Sequence, residues 1–197
     1  MKRLMLLALL AAACGGSDQG MDDADSTATD SVMPAAIDLT MPEAPSASRG
    51  RIALRTAGEL ELTGEWPARA GWCAAPPMLQ VLLEQQYDGA IILLALPATG
   101  SRVTTYPVTT STEGIPEGPA AQAAVQRIVD SRPYAWQAET GDVDLYAWDG
   151  NRVSGRFTIT MRNIATNERS MMAGSFLGVE AFELGADQCQ PGAPAAN

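Results

Sequence analysis

The chain has 197 residues, no histidine and a net charge of −10. Without histidine, Ser-His-Asp and Cys-His nucleophile systems, His-ligated zinc and the usual general base near neutral pH are excluded. Its arginines form no basic cluster or stripe, which argues against nucleic-acid binding.

Met1-Lys2-Arg3 is a short cationic start, and Leu4 to Ala13 is an unbroken apolar run. Ala11-Ala12-Ala13 places small residues directly before Cys14, and Gly15-Gly16-Ser17 opens a polar stretch. This is the layout of a secretory signal, residues 1–13, with a small-residue cleavage site. The run is shorter than the ~20 residues a spanning helix needs. The placement of Cys14 resembles the bacterial lipoprotein signal, or lipobox, with Ala11 where the usual pattern has leucine. The resemblance implies a diacylglycerol thioether on Cys14, cleavage before it and acylation of the new amino terminus. Because residue 15 is not Asp, it also implies a cell-envelope protein anchored in the outer membrane. Acyl chains contribute about 0.8 kcal/mol per buried CH₂, so several can hold a domain on a membrane without a spanning helix. Ordinary signal cleavage after Ala13, without lipid, is the alternative. Lys2 is the sole lysine and leaves with the signal, which removes Ser-Lys chemistry.

Residues 14–48 read as an acidic tether. Between Gly15 and Ser48 there are seven acids, no base and no aromatic residue. Such a segment buries too little apolar surface to offset its ordering entropy. As a flexible coil it spans roughly 30–35 Å. Residues 49–190 form one domain, with sixteen acids against eleven arginines, and 191–197 form a tail. With Cys14 assigned to lipid, Cys73 and Cys189 remain as an even pair in an oxidising compartment, which predicts a disulfide. Closing so long a loop is worth about 4–5 kcal/mol in the chain-entropy model.

From residue 51, Ile52, Leu54, Thr56, Gly58, Leu60, Leu62, Gly64 and Trp66 occupy even positions, and charged or polar residues occupy most odd ones. This period of two predicts a half-buried strand, or two strands interrupted near Gly58. A loop with Pro67, Cys73, Pro76 and Pro77 is expected next. The apolar runs Met78–Gln86 and Ala90–Leu96 flank Asp88-Gly89, a hairpin signal, although Pro77 could instead open a helix. Ile91 to Leu94 lack alternation and predict a strand covered on both faces. Val103 to Val108 reads as an edge strand because of Pro107. Ala120 to Val129 admits either a short helix or a strand. Val143–Trp148 and Arg152–Ile164 predict a hairpin about Asp149-Gly150-Asn151, and Met171–Phe182 a last strand. Strand after strand with short turns predicts an all-β, mainly antiparallel fold, a single sandwich or small barrel with one short helix at most.

Three segments repeat an apolar-x-Gly-x-aromatic pattern: Leu62 to Trp66, Val153 to Phe157 and Met172 to Phe176. Glycine leaves a hollow that a cross-strand aromatic can cover. The late hairpin with its Gly-x-Phe pair resembles uncharacterised β-rich bacterial lipoproteins over the last third of the chain, and brings no activity with it. Tyr134-Ala135-Trp136 and Tyr146-Ala147-Trp148 repeat a second pattern. Tyr146 and Trp148 share strand parity with Asp142 and Asp144, while Val143, Leu145 and Ala147 take the inward face. Exposed rings beside acids suit a sugar or small ligand; the alternative is ordinary aromatic packing. Asp142 and Asp144 also raise a carboxylate-based hydrolase, but neither has the apolar surroundings that raise an acid's pKa.

The favoured reading is a non-catalytic, membrane-anchored cell-envelope lipoprotein with a structural or interaction role, whose partners are the membrane and an envelope protein or glycan. The alternative is an envelope-glycan or small-ligand module using Tyr134, Trp136, Tyr146, Trp148, Asp142 and Asp144. No cofactor or metal is expected.

Overall fold

The computed structural model describes residues 40–83, 85, 88–110 and 118–189. The signal, Cys14, most of the tether and the C-terminal tail lie outside the described residues. Among the described residues nine strands follow in chain order: β1 Arg51–Gly58, β2 Gly64–Ala74, β3 Pro77–Leu83, β4 Gly89–Ala95, β5 Thr105–Pro107, β6 Ala120–Val129, β7 Arg132–Trp148, β8 Arg152–Asn163 and β9 Arg169–Glu183. No helix occurs among the described residues. All strands except β5 run round a closed sheet in the order β7-β6-β4-β3-β2-β1-β9-β8, and β8 pairs again with β7. The fold is therefore an eight-stranded antiparallel barrel, the second of the two expected architectures.

β5 pairs with the later half of β7 through Thr105↔Asp144 and Pro107↔Asp142. β6 pairs with the earlier half, from Val129↔Arg132 to Ala124↔Gln137. One long strand thus takes two short partners along the same edge. β1 is likewise short: beyond its first residue, β2 and β9 close directly as a parallel pair, Ala70↔Ala181 to Trp72↔Glu183.

The alternation of residues 51–62 points Ile52, Leu54, Leu60 and Leu62 into the core. Val81, Ile92, Leu94, Val125, Val143, Leu145, Ile159 and Met161 join them from other strands. An eight-stranded barrel has an interior just wide enough for side chains to fill, and Tyr106, Phe157 and Phe176 fill it here at under 2% exposure. Outward positions carry Arg55, Glu65, Arg69, Arg156, Arg162 and Arg169. This apolar-in, polar-out order is the reverse of a lipid-spanning barrel.

Two of the three glycines are covered by a cross-strand aromatic as expected, and the third by a ring of its own strand. Phe176 lies over Gly155 and Phe157 over Gly174, each ring across from the other's glycine in the β8–β9 register. The Trp66 ring folds back over Gly64, where a Cβ would come within 2.8 Å of it.

Several boundaries differ from expectation. β2 runs through Pro67 and Cys73, where a loop was expected. Pro67 pairs with Arg51 just before β3 begins to pair at Ala68, so its missing N–H costs no bond to β3. Of the two readings open for Ala120–Val129, the strand is the one found. The strand expected to be covered on both faces has Ile91 and Leu93 only half-buried, Leu93 packing against the disulfide cluster of Cys73, Met78, Leu184 and Cys189. The Cys73–Cys189 disulfide is formed, with its Cα atoms 5.7 Å apart and the two residues 116 positions apart in sequence. The end of the expected tether already docks: Ser175 Oγ accepts from Ala47 N at 2.9 Å and donates to Pro45 O at 2.7 Å.

Candidate functional site

The barrel has two rims. One carries the β1–β2, β3–β4, β6–β7 and β8–β9 connections. The other, the N-terminal rim, receives the chain at Arg49 and carries the β2–β3 turn, residues 96–104, the β7–β8 turn and the disulfide.

At the N-terminal rim Trp72 of β2 and Trp148 of β7 meet edge to face, with centroids 6.5 Å apart. The Arg102 guanidinium lies 5.5 Å from the Trp72 centroid and 5.0 Å from that of Trp148. Cations over indole faces are held by the ring quadrupole, worth about 0.5–2 kcal/mol each. The Arg102 backbone is fixed in turn, because its carbonyl accepts from the Tyr106 hydroxyl at 2.6 Å. Burial pushes that hydroxyl up to about 12, partly opposed by the Arg102 charge.

Two bulges reshape the wall beside this cluster. Tyr146 is an extra residue in β7, since Leu145 pairs with Gly155 and Ala147 with Ser154. β9 carries an extra residue opposite Ser154, since Val153 pairs with Val179 and Gly155 with Phe176. There Gly178 takes φ +53°, a left-handed conformation that favours glycine. Its N–H donates to Ser154 Oγ at 2.8 Å. Bulges bend strands and re-aim side chains, and they recur near binding sites. Two open depressions lie on this shoulder. One, of about 640 Å³, is lined by Arg49, Val103, Trp148, Asp149, Arg152 and Leu177 among others. The other, of about 610 Å³, is lined by Val103, Thr105, Asp144, Tyr146 and Arg156 among others.

The six residues named from sequence do not form one patch. Trp136 is buried in the core, and Tyr134 packs against that core, stacked on Trp136 at 6.2 Å. Both lie near the opposite rim, roughly 40 Å of extended strand from Trp148. Residues 132–142 continue β7, and an extra residue at Glu139 reverses its parity, since Ala138 pairs with Met161 and Thr140 with Thr160, so Tyr134 and Trp136 face inward with Ala138 while Asp142 faces outward. The bulge at Tyr146 then breaks parity again. Tyr146 is half-exposed, while Trp148 turns back to pack on the core.

Asp142 is exposed and sits across from Thr158. Asp144 accepts from the Thr105 hydroxyl and is ion-paired with Arg156 at 2.9 Å. The Thr105 hydrogen bond, then Arg156, hold its carboxyl below the usual carboxylate value. That environment keeps Asp144 ionised, opposite to what a general acid needs. Arg49, Arg102 and Arg152 were not picked out from sequence. Loop and hairpin-end cations carry no periodic signal, and only the tertiary fold puts them beside Trp148.

At the opposite rim, buried Asn163 donates to Glu59 Oε2 at 2.9 Å and receives the N–H groups of Ala165 and Thr166. Glu168 lies beside Glu59, whose charge raises the Glu168 carboxyl. Among the described residues no group of three or more potential ligands is placed to hold a metal ion.

Comparison of the chain with protein-family models, with curated proteins and with solved structures found no match in any of the three.

Proposed function

We propose that the chain is a lipid-anchored bacterial cell-envelope protein, acylated on Cys14, that displays its barrel from the outer membrane as a non-catalytic interaction module. The observation that carries this reading is Cys14 itself, set directly behind a cationic start, an apolar run and three alanines. The acidic, aromatic-free stretch after it suits a spacer. The filled barrel interior supports an interaction role, since a partner meets the outer wall rather than a lumen. Mass spectrometry of the mature amino terminus tests the anchor. A diacylglyceryl-cysteine at residue 14, lost together with membrane association in Cys14→Ser, is the expected result. An unmodified terminus on a protein free in solution would sink it.

A second reading, a small-ligand or envelope-glycan module, is favoured by the outer shoulder, where half-exposed Tyr146 and Trp148 line adjoining depressions. It no longer draws on Tyr134 or Trp136.

A further inference from the structure

The larger shoulder depression combines two kinds of wall. Its apolar side is made by Trp148, Val103 at 41% exposure and Leu177 at 39%. Its polar side holds two arginines. Arg49 has no ion pair among the described residues, although the chain is strongly acidic overall. Among the described residues Arg152 pairs with Glu180, at 3.6 Å, and that carboxylate is 82% exposed. An exposed pair of that kind is worth at most about 1 kcal/mol, so a better acceptor displaces it readily. The one acid in the lining, Asp149, already accepts from the backbone N–H groups of Asn151 and Arg152 through Oδ1.

The backbone is shaped for this arrangement. The two bulges flank Ser154 on both sides and open the wall at the level of the depression. Gly178 leaves room for the Arg49 side chain, whose Cγ would lie 3.1 Å from a Cβ at that position. The Trp148 ring is held by Arg102 and Trp72, and its indole is therefore fixed before any ligand arrives. A volume of about 640 Å³ lies within the range of small-molecule sites.

We propose that this depression binds a small organic carboxylate with an apolar body, the carboxylate meeting Arg49 and Arg152 and the body lying against Trp148, Val103 and Leu177. Arginine is suited to the task because its planar fork pairs with a carboxylate through two parallel N–H bonds. The inference rests on the small-ligand reading above and is independent of the lipid anchor. The chemistry is shared by free aryl or alkyl acids and by the free C-terminus of a peptide ending in an apolar residue.

The test follows the indole N–H resonances of the mature protein by NMR, with the Trp148 signal assigned through Trp148→Phe. The probes are 4-phenylbutyrate, its uncharged amide, a short peptide ending in leucine with a free carboxylate, and a neutral oligosaccharide. The expected result is a saturable shift of the Trp148 resonance by phenylbutyrate or the peptide. The amide should bind about tenfold more weakly, and Arg49→Gln and Arg152→Gln should each weaken the acid severalfold while the unliganded spectrum is retained. The tighter of the two acids identifies the source. Equal binding of acid and amide, or a shift by the oligosaccharide alone, would overturn the carboxylate assignment and leave the small-ligand or glycan reading standing. Silence with all four probes would remove both.

Discussion

Phe176 lies over Gly155, its partner across the β8–β9 pair, and no side chain larger than hydrogen fits beneath the ring. The relation is reciprocal, because Phe157 covers Gly174 two residues further along. Two glycines and two phenylalanines thus interlock on the inner face of the β8–β9 pair.

Gly155→Ala should therefore destabilise the fold by about 1–3 kcal/mol, the usual cost of overpacking. Denaturant unfolding would measure it. Combining it with Phe176→Leu should recover part of the loss, giving a non-additive cycle. A neutral Gly155→Ala would contradict the packing described.

Removing the Cys73–Cys189 bridge as a double serine variant should cost about 2–5 kcal/mol, because the closed loop is long. The check is the thermal midpoint with and without reductant. The wild type should fall toward the variant on reduction, and the variant should not respond.

Tyr106 links stability to alkaline pH. Its folded pKa of about 12 lies above the ordinary value of 10.0, so its contribution is complete below 10 and is lost as pH rises through 12. Tyr106→Phe should abolish that alkaline dependence. It should also cost about 0.5–1.5 kcal/mol at neutral pH through the lost bond to Arg102 O. Absorbance titration together with unfolding at several pH values measures both.

Asp144 acts in the opposite direction. Its carboxyl is lowered by Thr105 and Arg156, so its contribution is present above the ordinary value of 3.8 and fades as pH falls through the lowered one. Thr105→Val should move the Asp144 titration upward, as followed by carboxyl-carbon NMR. An unmoved titration would show that the hydroxyl contributes nothing.

Trp136→Phe should be tolerated unusually well for a core tryptophan. The Nε1–H is buried with no partner among the described residues, so the exchange removes an unsatisfied donor along with some packing. A loss below about 1.5 kcal/mol is expected on unfolding, against 3–5 kcal/mol for truncation to alanine.

Much of the barrel can be read residue by residue. The alternation from Ile52 to Leu62, the antiparallel pairing of β3 with β4, the Asp149-Gly150 turn, the edge position of Pro107 and the paired cysteines each follow from local chemistry. The extent of β7 does not. The β6–β7 turn is Asp130-Ser131, with φ +50° and +64° at a pair that lacks the glycine such a two-residue turn favours. Gly141 and Asp142, which resemble a break, lie in mid-strand. The aromatic patch failed for the same reason. Strand parity predicts a face only while the register is unbroken, and the added residues at Glu139 and Tyr146 each reverse it.

Local pattern alone decided that the chain is built of strands, which side chains seek the interior, where most turns fall and which cysteines join. Closure of β7 on β8, the two bulges, and the meeting of Arg49, Arg102 and Arg152 with Trp148 were decided by the folded chain. Pairing between strands distant in sequence depends on how all eight share one interior volume, and no short window of residues contains that information.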